Sequence, residues 1–520
     1  MSSNAWKIFC RKLFRGEIIN VADAVDEARQ GFHYYGIYPE SIHLRDGCYL
    51  FMVKTDKYTK KLVLLNTDNW GGYNAFQGEE IANEEVKFKL APLNHENACT
   101  LRRWWPFTAP VSCGSRDVSL GLGDRLGIAS PGHLRIIKKT HIRPVLAQQS
   151  VRELNLTGRN FREVIDAATW AVFQENYQQG FGADGDHLKR KEEIREALDA
   201  GVTMITLDCS EWIDNSILAA TDYEVKGALQ KLPHNKQKEL ENLYLCRKFM
   251  IGEHEITFDT ANLHKIILVY GKALDFIKEV YHEIIVAGKR DMDFEVSIDE
   301  TTTSTSPEAH FFVAAELKRA GVEVTSLAPR FCGEFQKGID YVGDVIQFEK
   351  ELKVHAAIAD RFGYKLSIHS GSDKFKVFPL IGSCTRSNLH LKTAGTSWLE
   401  ALKVIARYSP GLFREIYKYA QAHLEEARQY YIITIDSGKI VPVDNCKDEE
   451  LEGLLGNNDI RQMLHITYGI ILSTRNESGK FLFRDGIYKI LHEREEEYYQ
   501  ALETHIGRHI AALCGSLPPV

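Results

Sequence analysis

The sequence predicts an α/β protein built on a (β/α)8 barrel of the TIM type, and three observations predict it. From about residue 118 to residue 430, β-type runs ending in polar or Gly-rich turns alternate with amphipathic helical segments. Eight such runs are legible, the number that closes parallel strands into a barrel instead of leaving a doubly wound open sheet. Several helical segments end on a glycine just past the last apolar residue, at Gly201, Gly321 and Gly363, where a left-handed cap costs little without a Cβ.

In chain order, residues 1–115 form a β-rich extension, typified by CYLFMVKTDKYTKKLVLLN. Residues 116–430 carry the barrel. Its strand runs are VSLGLGDRLGIAS (118–130), IRPVLAQQS (142–150), GFGADGDHLK (180–189), VTMITLDCS (202–210), DFEVSIDET (293–301), VEVTSLAPRF (322–331), YKLSIHSGSD (364–373) and LHLKTAGTS (389–397). The intervening helices, such as FREVIDAATWAVFQENY and SWLEALKVIARY, place apolar residues three and four apart. Residues 211–290 interrupt the rhythm with helical patterns such as KQKELENLYLCRKFM and read as a helical insertion that covers the barrel mouth and excludes water. Residues 431–520 form a mainly helical extension with one short β-type stretch, YYIITIDSGKIVPV. The apolar content of both extensions suits packing against the barrel or against a second copy in a homo-oligomer.

Composition narrows the function. With 64 basic and 71 acidic side chains the net charge is −7, which argues against a nucleic-acid binder. The first twenty residues, MSSNAWKIFCRKLFRGEIIN, break every apolar run with charge and provide neither a signal-peptide core nor a membrane span. Ten cysteines are scattered without a CxxC pair, the usage of reduced thiols in cytoplasm. The loop GLGDRLG displaces the third glycine of a dinucleotide fingerprint and lacks a following G-K-[ST], which disfavours NAD or ATP.

Barrel chemistry sits at the C-terminal ends of the strands. In DFEVSIDET, Phe294, Val296 and Ile298 alternate with Glu295, Ser297 and Asp299; in YKLSIHSGSD, Leu366 and Ile368 alternate with Ser367 and His369. If the apolar set faces the helices, Asp299 and His369 point into the mouth. Run three closes with Asp184, Asp186 and His187. Imidazole and carboxylate on separate rigid strands suit a divalent cation such as Zn, Mn, Ni, Co or Fe, and the expected ligands are His187, Asp299, Glu334 and His369. Each of these could singly be a buried, hydrogen-bonded core residue. The HSGSDK loop, with Ser370, Ser372 and Lys374, and the TAGTS loop, with Thr393, could hold a substrate anion on backbone N–H groups, or be ordinary βα turns. Asp124, Arg125, Arg330 and Lys392 are further candidates for substrate contact, or for internal ion pairs.

The motifs GDRLGIASPGH, GADGDHLK, SIDET, SIHSGSDKF and KTAGTSWLEAL, in this order, resemble those of the tagaturonate epimerase family of hexuronate catabolism. The resemblance spans about residues 118–430 and implies a metal-dependent, cytoplasmic sugar-acid epimerase acting on D-tagaturonate and D-fructuronate. The GDH pair and the HSGS loop are also similar to strand-end motifs of class II metal-dependent aldolases. That likeness implies Asp186 as acid/base and His187 and His369 as ligands, with Glu334 standing where those aldolases have another histidine. It also implies retro-aldol chemistry, for which Asp208 is the candidate second proton carrier. The alternatives are an aldolase or isomerase of a related sugar or sugar phosphate, and a sugar-acid-binding protein without catalysis.

Overall fold

The structure is a computed structural model that describes residues 5–66, 71–82, 86–393, 395–431 and 433–515. Eight parallel strands close on themselves in sequence order: β1 (Ser119–Gly121), β2 (Arg143–Ser150), β3 (Gly182–Leu188), β4 (Met204–Asp208), β5 (Asp293–Ser297), β6 (Ser326–Ala328), β7 (Lys365–Ile368) and β8 (Leu389–Lys392). The ring is sealed where β8 pairs with β1, His390 opposite Ser119 and Lys392 opposite Gly121. Strand order 1 to 8 is that of a TIM barrel and excludes the open, doubly wound sheet.

Two-residue alternation decides what fills the barrel. Phe294 and Val296 on β5, Leu366 and Ile368 on β7 and Leu389 and Leu391 on β8 join the apolar core shared with the surrounding helices. Their neighbours bond across the interior instead, and because buried polar groups need partners, they come in layers. At the lowest level the Asp293 carboxylate takes the N–H groups of Cys113 (2.5 Å) and Gly114 (2.8 Å) and the Ser112 hydroxyl (2.8 Å). Above it Ser119 joins Lys365 (3.2 Å) and His390 (2.9 Å). Burial pushes His390 down to about 3, so this imidazole is neutral.

The N-terminal extension is a five-stranded antiparallel sheet in which Cys48–Lys54 and Lys60–Asn66 are central and Glu79–Ala82 is one edge. Alternation again explains why Cys48–Lys54 is buried on both faces. Tyr49, Phe51 and Val53 pack on the helices Trp6–Phe14 and Val21–Gln30, while Cys48, Leu50 and Met52 pack toward Trp170 and Phe173 of the barrel helix Phe161–Gln174.

The insertion between β4 and β5 differs from expectation. KQKELENLYLCRKFM is a helix, His234–Tyr244, followed by a strand, Lys248–Ile251, that pairs with His254–Thr257. This hairpin does not reach the mouth. Its tip, Gly252 to His254, faces a cavity shared with Arg116, Asp117 and Asn388, residues that precede β1 and β8 at the bottom of the barrel. Helix Thr260–Val280 is the barrel helix that leads back to β5. The C-terminal extension also corrects one reading: YYIITIDSGKIVPV contains no strand among its described residues, only 3-10 turns at Ser437–Lys439 and Val443–Asn445. No helix among the described residues is long and apolar enough to cross a membrane.

Candidate active site at the barrel mouth

Three strand ends converge. Run three turns outward through a register slip between Gly185 and Leu188, which puts His187 at φ +54°, a conformation rare for a residue with a side chain and one that concentrates at functional sites. The slip aims the imidazole at the mouth, with Nδ1 bonded to Asp186 Oδ1 (2.8 Å). Beyond β5, Asp299 is steadied by the Ser297 hydroxyl. Just past β7, the His369 ring Nε2 bonds Glu295 Oε1 (2.8 Å). Ligand atoms of His187, Asp299 and His369 all lie within 4.8 Å of one another. His369 Nδ1 is 3.0 Å from Asp299 Oδ2, yet it is buried and has no aligned hydrogen bond.

Beneath this triad, Lys392 of β8 is encircled by Asp184 (3.0 Å), Asp186 (2.6 Å) and Glu295 (2.9 Å), and it donates to Thr206. Burial of charge is costly unless paired, and the ammonium is what allows three carboxylates to share the barrel interior. Burial would raise Asp186 and Glu295, but Lys392, with the histidines, holds both well below the usual carboxylate range. Asp184 is pushed by burial up to about 7, the lysine only partly opposing it. Burial alone would lower His369; Asp299 and Glu295 carry it up to about 10.

A cavity of about 470 Å³ opens above the triad. Asp186, His187, Asp299, His369 and Lys392 line its barrel side, Ser370 and Ser372 its β7 loop, and Arg125 its β1 loop. The opposing wall comes from Gln336 and Lys337 of the β6 loop and from residues 428–431 at the start of the C-terminal extension. Gln336 is the joint between these two, since its carbonyl accepts from the Thr434 N–H (2.8 Å) and from Gln462 (2.8 Å).

Five expected substrate contacts are engaged elsewhere. Both Asp124 oxygens are taken by backbone N–H groups of Leu126, Gly127, Ala129 and Ser130. Lys374 is buried and spends its ammonium on the carbonyls of Gln336, Ile339 and Ser372, and the Thr393 hydroxyl donates to the Gly121 carbonyl (2.7 Å). The Lys374 ammonium and the Thr393 hydroxyl are thus consumed internally, while Ser370 and Ser372 line the cavity. Lys392 serves the interior carboxylates instead of a substrate anion. Arg330 is held by the Thr301 carbonyl and lines a smaller neighbouring cavity with Glu334. Glu334 itself is exposed, pairs with Val342 in an isolated bridge and bonds Gln336, and it lies outside the ligand group. Asp208 is buried near His187, bonded to the Ser210 N–H, and it does not line the cavity.

The donor set fits a divalent cation. Two imidazoles and one carboxylate are the ligand types such ions take, and each histidine has its other nitrogen fixed by a carboxylate, Asp186 or Glu295, the arrangement that orients metal-binding histidines. The unaligned His369 Nδ1 is the atom such an ion would satisfy. Sequence reading missed Glu300, which shares a second ligand group with His187 and Asp208 and lines the cavity, and it missed Lys337 and Tyr431. Glu300 follows Asp299 directly and was legible as a strand-end acid; the other two had no periodic signal.

Residues 38–513 match the profile of a family described as tagaturonate epimerase. The chain is 43% identical over 482 residues to a tagaturonate/fructuronate epimerase of Thermotoga maritima, covering 92% of this chain and 97% of that one. It also superposes on the native crystal structure of a fructuronate-tagaturonate epimerase from Cohnella laeviribosi, with a TM-score of 0.90, 49% identity, and coverage of 94% and 99% of the two chains. A glycerol complex of that protein matches equally, with a TM-score of 0.90.

Proposed function

The chain belongs to the tagaturonate epimerase family, and we propose that it interconverts D-tagaturonate and D-fructuronate in the cytoplasm by metal-dependent cleavage and re-formation of one carbon–carbon bond. The observation that carries this reading is the convergence of ligand atoms of His187, Asp299 and His369 within 4.8 Å at the floor of the mouth cavity. All ten cysteines are unpaired thiols, which supports a reducing compartment.

The two keto-acids differ at the carbinol carbon β to the ketone, whose C–H is not acidic, so enolisation cannot invert it. A divalent cation held by His187, Asp299 and His369 would polarise the ketone and favour loss of the bond between the α and β carbons. The β-hydroxyl gives up its proton and becomes an aldehyde, while the bonding pair stays with the α carbon as an enediolate. Rotation of the aldehyde presents its other face, the bond re-forms, and the proton returns to the new alkoxide, so no oxidant or reductant is consumed.

Asp186 is the first proton carrier. It lines the cavity and is bonded by Lys392 (2.6 Å) and His187 (2.8 Å), which keep it ionised and fixed in place to take the hydroxyl proton and return it. On the second face the carrier is Glu300 or Asp208, both beside His187; Glu300 reaches the cavity. The walls built by residues 335–337 and 428–431 keep the aldehyde from escaping.

The test is to follow D-tagaturonate by NMR with metal-loaded and EDTA-stripped protein, adding a hydrazine to trap free aldehyde. D-Fructuronate formed only with metal, with trace trapped aldehyde, upholds the reading; no epimer with any divalent metal defeats it. Conversion without trappable aldehyde, but with a deuterium label moving between carbons, would replace cleavage by hydride transfer.

A further inference from the structure

The cavity is chemically lopsided. Asp186 and Asp299 line its barrel side, with Asp184 and Glu295 beneath them around Lys392, so a substrate carboxylate is better seated on cations elsewhere in the lining. Lys392 is spent on carboxylates and Lys374 on three carbonyls, while Arg330 bonds the Thr301 carbonyl and lines the smaller neighbouring cavity, not this one. Two are left over. Arg125 is 2% exposed, and Glu153 grips it from one edge through Nε (3.0 Å) and Nη2 (2.7 Å) while its plane lies 3.7 Å over the Tyr468 ring. That clamp leaves Nη1 buried and without a hydrogen-bond partner among the described residues, on a side chain that lines the cavity. A charged donor left unsatisfied in a buried site is expensive, and a fixed guanidinium matches a carboxylate. Lys337 lines the same cavity, and its ammonium makes no hydrogen bond or ion pair with any described residue; burial, together with nearby Arg125 and Arg152, lowers it.

We propose that Arg125 and Lys337 are the seat of the substrate carboxylate, and that this seat makes the enzyme select keto-acids over neutral ketoses of the same carbon skeleton. The proposal rests on the epimerase reading and adds the residues that set its substrate class. Glu153 and Tyr468 act as positioning residues, since they hold the guanidinium in place without reaching the acid.

Metal-loaded wild-type, Lys337→Met and Arg125→Met/Glu153→Gln proteins would be compared, the double variant avoiding a lone buried carboxylate. Two readouts are needed: kcat/KM for D-tagaturonate relative to D-tagatose, which carries a hydroxymethyl group where the acid has its carboxylate, and calorimetric binding of D-glucarate, a six-carbon diacid with no ketone. We expect the acid-to-neutral ratio to fall by about 10- to 100-fold in each variant, through KM, and D-glucarate binding to weaken by a similar factor, the size of a lost charged hydrogen bond. An unchanged ratio in both variants, with wild-type turnover intact, overturns the seat. Should wild-type protein turn over no keto-acid, the epimerase reading falls, and the D-glucarate titration alone then decides: weaker binding in the variants upholds the seat, and equal binding overturns it.

Discussion

The insertion between β4 and β5 and the C-terminal extension are of comparable length and both largely helical, yet they sit differently on the barrel. The insertion touches the mouth at its start, where Asn215 accepts from the Thr302 N–H (3.0 Å), and then runs along the flank, its hairpin tip reaching the bottom near Asp117 and Asn388. The extension is woven into the mouth: Trp398 Nε1 donates to the Leu464 carbonyl (2.8 Å), Tyr498 to the Ser397 carbonyl (3.0 Å) and Tyr488 to the Leu126 carbonyl (2.7 Å). Buried polar side chains that cross from one segment to another mark which addition is part of the site. Helical pattern alone does not, because an amphipathic helix packs equally well at either end of a barrel.

That contrast can be broken at the tail. Asp373, in the β7 loop, accepts from Arg461 (2.7 Å) and has the His505 ring nitrogen 2.9 Å away, both from the extension and nearly buried. Arg461→Met removes one partner of a buried carboxylate and is expected to destabilise the protein by roughly 3 kcal/mol, read from urea unfolding. Gly395→Ala would set a Cβ 1.9 Å from His465 Cε1, displacing helix Asn458–Ile466 or the β8 loop. Misplacement of that wall by about 1 Å predicts a loss of about 100-fold in kcat/KM.

The tail should also answer to acid. Burial would raise Asp373, but His505 and Arg461 hold it well below the usual carboxylate range. A depressed carboxylate binds fewer protons folded than unfolded, so its contribution is complete above about pH 4 and is lost as pH falls further. Urea midpoints measured from pH 6 to pH 3 should decline less steeply in Asp373→Asn than in the wild type; equal slopes would place the acid sensitivity elsewhere. The insertion supplies the smallest effect. Shortening the hairpin tip at Gly252 and Glu253 is expected to change kcat by less than about twofold, as surface changes away from buried features do, and to leave aldehyde leakage unaltered.

How much of this was legible follows from periodicity. Alternation on β5 and β7 pointed Asp299 and His369 into the mouth, and the clustering of His187 required only that run three end there. Glu334 misled because β6 stops at Ala328 and the chain then folds back through the Glu334–Val342 bridge, so closeness to a strand end in sequence did not put it at the strand end in space. Asp124, Lys374 and Thr393 have the right chemistry but are consumed by backbone groups, which composition cannot reveal. Lys337 and residues 428–431 reach the cavity only through tertiary packing of an irregular segment, where no two- or 3.6-residue repeat exists to read.

The proposed cation rests on three side chains, His187, Asp299 and His369, and not on Glu334. Metal content after exhaustive dialysis, measured by mass spectrometry on wild type, His187→Ala, Asp299→Asn, His369→Ala and Glu334→Ala, decides this. Near-stoichiometric metal is expected in wild type and Glu334→Ala, with most of it lost from the other three. Metal lost from Glu334→Ala as fully as from His369→Ala would contradict it.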